Sequence, residues 1–442
     1  MTVPIGQKIT KSFKEDYLMK KSLLVVLLLT AVAVVFAGGK KESEAGTKQV
    51  VVTWLNHGTS DVNQQYQKEI IAAFEAENPG VKIEQTTLEN ESEKSKIATM
   101  IQSGTPYDVF STWGGGTHAE YFKAGQLLDI TKYVEGTEFG NSIGAGTWAP
   151  YVVDGKYTGV PYNAGCVTFW YNKSLLKQVG YDTFPTDYDD FLVLVGKLKA
   201  AGITPISIGA GDKWPAMHFF AYLALRLGGG DVYANLANGK GFEDPAFIKA
   251  GEMMVDLVKM GAFQDGFLGT SHDDMQALLG NGQAAMELGG QWSADSQKNG
   301  SVSGKGLGDD LGCAAFPAIK GGKGKVTELI GGGDGWCLGK NASPEAVKFV
   351  QFMVNQKNNA RMAELGLIIP TVKGAESGLA AQPNMKLVKK LLDECTFFQL
   401  YPDQDLSPAA GGAVNDNVQA ILAGTKTPAK ACADIQKVYK DN

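Results

Sequence analysis

Several short segments place a tryptophan or tyrosine beside small polar residues. They are Trp54-Leu55-Asn56-His57-Gly58, Trp113-Gly114-Gly115-Gly116, Pro161-Tyr162-Asn163, Asp212-Lys213-Trp214-Pro215, Gly289-Gly290-Gln291-Trp292 and Gly333-Asp334-Gly335-Trp336. Each lies beside a run that reads as a strand. An aromatic face can stack on the flat C–H face of a sugar ring, while Asn, Asp, Gln and Lys bond its rim of hydroxyls. The chemistry expected of such residues is non-covalent capture of a polyhydroxylated molecule. Core packing is the competing role for any one tryptophan. Trp170, inside an apolar run, is expected in the core, whereas Trp113, Trp214 and Trp292, flanked by Gly, Pro or charge, are expected at the ligand.

Catalytic and metal signatures are sparse. Neither HExxH nor GxxxxGK[ST] occurs, and the triplets Gly228–Gly230 and Gly331–Gly333 lack the following Lys-Ser/Thr of a phosphate loop. Cys166, Cys313, Cys337, Cys395 and Cys432 show no CxxC or metal-ligand spacing. No metal, cofactor or essential disulfide is therefore expected. A carboxylate pair for glycoside hydrolysis is defined by spatial separation, and nothing in the sequence selects one.

The elements that must position these residues alternate between strand and helix. Apolar strands are expected over 49–54, 81–86, 107–111, 166–171, 283–288, 311–317, 326–330 and 335–338. Helices are expected over 61–77, 91–102, 117–124, 173–179, 186–201, 215–227, 244–260, 271–281, 384–395, 411–423 and 427–440. Ser343-Pro344-Glu345 opens another helix with an N-cap, a first-turn proline and an acid. This alternation predicts an α/β architecture with largely parallel sheets, whose ligands bind beyond the carboxyl ends of strands.

Composition narrows the partners. The chain has 442 residues, 44 % hydrophobic and 20 % charged, enough for two lobes. Lys20 and Lys21 precede the apolar run 23–36 and the small-residue exit Val35-Phe36-Ala37, which reads as a secretory signal peptide over 1–37, with Met19 as the natural start. A polar linker follows over 38–48. No cysteine stands just after the apolar run for lipid attachment, so a periplasmic protein is expected. The whole chain carries a net charge of −6, and residues 1–37 hold five Lys and two acids, leaving −9 thereafter. Such a balance argues against nucleic acid and anionic membranes as partners. Arg226 and Arg361 are the only arginines; scarcity of the bidentate fork tilts the ligand towards neutral.

Eight segments resemble, in order, the extracellular solute-binding proteins of the sugar class, relatives of maltose-binding protein. They are VVVTWLNHG, IAAFEAENPGVKIE, SGTPYDVFSTWGGGTHAEYFKAGQLLDIT, GVPYNAG with VTFWYNKSLLKQVG, NGQAAMELGGQW, LGCAAFPAIKGG, IGGGDGWCLGKNASPEAVKFVQFM and VNDNVQAILAGTKTPAKACADIQ. The resemblance implies a periplasmic-binding-protein-like fold of two α/β lobes joined by crossing hinge strands. The lobes are expected over 49–162 with 316–358, and over 163–315 with 359–442, hinged near Tyr162–Ala164 and Phe316–Ala318. It implies ligand contacts from Asn56, His57 and Trp113 in the first lobe, from Asn163 at the crossover, and from Trp214 and Trp292 in the second. Asp334 and Asp403 complete the set. The implied partners are a carbohydrate and the permease of an inner-membrane ABC importer, the protein itself acting as a monomer. Binding of a polyamine or iron, and a secreted glycosidase, are the alternatives. The missing lipid-attachment cysteine and the divergent site loops depart from the family, and maltose itself is not implied.

Overall fold

The computed structural model describes residues 49–442. The signal peptide and linker expected over 1–48 lie outside the described residues. Among those described, no helix is long and apolar enough to cross a membrane.

The strands Val50–Asn56, Val81–Thr87 and Val109–Thr112 run parallel, as their intervening helices Asp61–Glu77 and Asn90–Ser103 require. Gly335–Leu338 joins them antiparallel, followed by Gly159–Pro161. In the second sheet, Thr168–Asn172 pairs antiparallel with both Leu311–Ala314 and Ala284–Gly289, and the latter runs parallel to Thr204–Ser207. These two sheets, each flanked by helices, form the two lobes.

A third sheet connects them. Asn163–Cys166 leaves the first sheet and leads into the second, while Glu328–Gly332 pairs antiparallel with it on the way back. Ile369–Pro370 and Phe397–Leu400 complete that sheet. The backbones of the crossing strands approach closely: a Cβ at Gly331 would strike the Gly165 carbonyl, and one at Gly333 the Asn163 carbonyl. That approach is the structural use of the Gly331–Gly333 triplet.

The second crossing falls later than expected. Phe316 stacks on Tyr222 at 4.9 Å between centroids, and its carbonyl accepts from the buried Arg226 guanidinium. Ala318 N–H bonds the Thr186 carbonyl. Residues 316–318 are thus anchored in the second lobe, and the chain returns through Glu328–Gly332. The boundary expected at 358/359 does not coincide with a break in packing. Met362, Ala363, Leu367 and Val372 lie in the same apolar cluster as Val52, Trp54 and Trp336.

Local signals explain many element ends. Ser60 and Ser343 cap their helices by accepting from Asn63 N–H and Ala346 N–H, satisfying donors the first turn leaves unpaired. Trp170 is fully buried and donates to the Gly289 carbonyl at 3.2 Å.

Candidate ligand-binding site

Asn56, His57, Trp113, Asn163, Trp214, Trp292, Asp334 and Asp403 all line one cavity of about 350 Å³ between the lobes. Four of the eight stand just past the carboxyl end of a strand: His57 after Val50–Asn56, Trp113 after Val109–Thr112, Trp292 after Ala284–Gly289, and Asp403 after Phe397–Leu400. Helices that begin at Ser60, Glu89 and Ser271 present their amino ends to the same space.

The first-lobe wall is built on a buried carboxylate. Glu93 is inaccessible to solvent, accepts from Ser111 Oγ at 2.7 Å and holds His57 Nδ1 at 2.7 Å. Burial alone would depress the imidazole pKa, but the Glu93 carboxylate outweighs it and raises the value to about 9. His57 therefore faces the cavity as a cation at neutral pH. Its ring stacks on Trp113, 5.7 Å between centroids. Asn56 is nearly inaccessible and accepts through Oδ1 from Gln67 Nε2 at 2.9 Å.

The floor lies at the crossing strands. Asn163 donates to Asp334 Oδ2 at 2.6 Å and accepts from Ile369 N–H at 3.1 Å. Burial pushes the Asp334 carboxyl above its ordinary pKa, opposed by the His57 charge and the Asn163 bond. Asp403 is likewise raised by burial and lowered by Lys94, and accepts from Asn415 at 3.1 Å.

The second-lobe wall is aromatic. Trp214 and Trp292 meet edge to face at 5.9 Å, with His272 at 4.7 Å from Trp214. Lys213, just before Trp214, has φ of 68°, a left-handed conformation costly for a non-glycine residue, and is tied by Asp416 Oδ1 at 2.6 Å. The lobes touch across the cleft: Trp214 Nε1 donates to Glu91 Oε1 at 3.1 Å.

Lys94 and His218 were missed by sequence reasoning, while Gln291, in the Gly289–Trp292 segment, and Tyr401 also line the cavity. Tyr401 was visible as an aromatic beside Pro-Asp-Gln. His218 was a polar residue inside the apolar helix Trp214–Gly228; burial pulls its pKa down to about 3, so it is neutral. Lys94 carried no signal, being one of many charges on Asn90–Ser103. Asn56 Nδ2, His218 Nδ1, Gln291 Oε1 and Trp292 Nε1 have no hydrogen-bond partner among the described residues. Buried polar atoms are rarely left so, and the residues bearing these four all line the cavity.

Gly140-Asn141-Ser142-Ile143-Gly144 has GxSxG spacing, but Ser142 ends the short helix Glu138–Ser142 and its Oγ donates to the Phe139 carbonyl at 2.7 Å. The five cysteines are unpaired, Cys395 partly exposed and the others buried. Among the described residues, no group of three His, Cys, Asp or Glu side chains could hold a metal.

Comparison with known proteins agrees with this architecture. An uncharacterized ABC transporter extracellular-binding protein of Pyrococcus horikoshii is 31 % identical over 57 % of each chain. The chain thus spans a little over half the length of the archaeal relatives it matches. A solved structure from work on xylan utilization by Caldanaerobius polysaccharolyticus superimposes with a TM-score of 0.81 at 28 % identity, covering 89 % of this chain and 100 % of that one. A chitin oligosaccharide binding protein gives 0.81 at 25 %, covering 89 % and 99 %. Residues 58–360 match the model of the bacterial extracellular solute-binding proteins, and the chain belongs to that family.

Proposed function

We propose that this chain is the ligand-capturing component of an ABC importer, exported to the periplasm, where it encloses a neutral carbohydrate between its lobes and presents it to the permease. The observation that carries this reading is the pairing, in one cleft, of tryptophan faces with unpartnered donors and acceptors. Asn56 Nδ2 and Trp292 Nε1 offer hydrogens, and Gln291 Oε1 offers lone pairs. A ring of alternating hydroxyls and C–H faces satisfies both kinds of group. The xylan-related and chitin-oligosaccharide relatives support it, as does the basic, apolar, small-residue start of the sequence. The protein acts as a monomer that binds without turnover.

A thermal-shift screen against mono- and oligosaccharides, diamines and ferric citrate tests this, because a ligand of the native state raises the melting point. A shift with at least one neutral sugar is expected. A shift confined to diamines or iron, or release of nitrophenol from nitrophenyl glycosides, would overturn the carbohydrate or the binding-protein half respectively.

A further inference from the structure

The cleft does not end at the candidate site. Lys94, Trp113, Trp214, Asp403 and Gln404 line the 350 Å³ cavity on one side and a second cavity of about 220 Å³ on the other. Lys94 is the movable part of this partition. Its ammonium sits 5.3 Å from the Trp113 ring centroid and 5.5 Å from that of Trp214, bonded to Glu91 at 2.8 Å. Its side chain is partly exposed, and a four-carbon stem changes rotamer on a picosecond-to-nanosecond scale. The two tryptophans are held more firmly, Trp113 by the His57 ring and Trp214 by His272 and Glu91.

The second cavity repeats the chemistry of the first. It has the aromatic faces of Trp113, Trp214 and Tyr121, and acceptors at Asp212 and Asp403. Burial raises the pKa of both aspartates. The same pair of tryptophans borders both spaces, with the Lys94 ammonium 5.3 Å from one ring and 5.5 Å from the other.

Resting on the carbohydrate reading above, we propose that the ligand is a saccharide chain too long for the first cavity. The chain passes Lys94, which swings aside, and its distal residues occupy the second cavity. Trp113 and Trp214 stack on the ring at the crossing point, where the ammonium now stands.

Gly412 gives a clean test. It lines the second cavity and not the first, and a Cβ there meets nothing within 4 Å. It lies inside the helix Pro408–Leu422, where glycine is a poor helix former, so Gly412→Phe adds bulk without opposing the fold. Calorimetric titration would use xylose and N-acetylglucosamine oligomers, monomer to hexamer, on wild type and Gly412→Phe. The wild type should gain about tenfold or more in affinity between the shortest binding oligomer and the longest. Gly412→Phe should lose that gain and keep the short-chain affinity within about twofold. Affinity independent of length, long-chain binding intact in Gly412→Phe, or equal weakening at every length would each overturn the proposal while leaving carbohydrate capture standing. Failure of every oligomer, together with every sugar in the thermal-shift screen, would instead take down the carbohydrate reading itself.

Discussion

Replacing Glu93 by glutamine should move the protonation of His57 by more than any other single change in the cleft. In the native protein the Glu93 carboxylate, inaccessible and 2.7 Å from Nδ1, lifts the imidazole from 6.5 to about 9 against an opposing burial effect. At about 1.4 kcal/mol per tenfold change in proton affinity, that is about 3 kcal/mol of folding free energy. Because the folded value lies above the unfolded one, this contribution is complete below about pH 6.5 and is lost as the pH rises through about 9. Glu93→Gln keeps the shape and the bond to Ser111 but removes the charge. His57 should then titrate well below about 9, since burial and Lys94 lower it and only Asp334 still raises it. Histidine C–H resonances followed by NMR from pH 5 to 10, assigned with His57→Gln, would report the midpoint directly. Urea unfolding at pH 6 and pH 10 should show the wild type losing about 3 kcal/mol relative to the variant. A wild-type midpoint near 6.5, or a midpoint unchanged in Glu93→Gln, would refute the argument.

Trp292→Ala should weaken sugar binding about tenfold or more, roughly 1.4 kcal/mol or above, with the melting point little changed, whereas Trp170→Ala should cost about 3–5 kcal/mol of stability because Trp170 is fully buried; calorimetry and melting curves on both variants check this. Glu287 is fully buried, and burial pushes its pKa up to about 8 against the opposing effect of the neighbouring Ser293 and Gln276 side chains. Its folded value exceeds the unfolded one, so stability falls as the pH rises from about 4.5 to about 8, and Glu287→Gln should flatten that slope in pH-dependent unfolding. Oligosaccharides ending in a uronate should bind about tenfold or more weaker than their neutral counterparts, because Asp212, Asp403 and Glu91 line the second cavity; competition calorimetry in low salt measures the ratio.

Much of the fold was legible because strong local signals agree with tertiary packing. Gln49–Trp54 reads as a strand, and the protein forms Val50–Asn56; Ser343-Pro344-Glu345 announces a helix that starts at Pro344. The third sheet was harder to see. Its strand Ile369–Pro370 spans two residues, and the other strands of the sheet come from segments around 163, 330 and 398, so no period reveals it. The return crossing was misplaced because Phe316-Pro317 looks like the end of a lobe, while Arg226 and Tyr222, distant in sequence, hold it inside. At the site, aromatic–polar pairs in loops pointed to the cavity walls. Glu93, Lys94 and His218 did not, since a helix residue reaches a cleft through the angle of its helix, which a single sequence does not encode.

The Asn163–Asp334 bond joins the outgoing and returning strands at the cavity floor. A fulcrum moves least when lobes swing, so under the proposed function this pair would meet the ligand with the same geometry whether the jaws are apart or together. In the enclosure proposed above, Trp214, Glu91 and Lys94, which touch across the cleft, would move farther than the floor pair. The two groups therefore act on different rate constants. In a capture cycle of the proposed kind, the floor pair would bear on how often an encounter succeeds and the cross-cleft contacts on how long the captured molecule stays. If the proposed function holds, residence time, and with it the interval available for docking on a permease, would be tuned at Lys94 and Trp214.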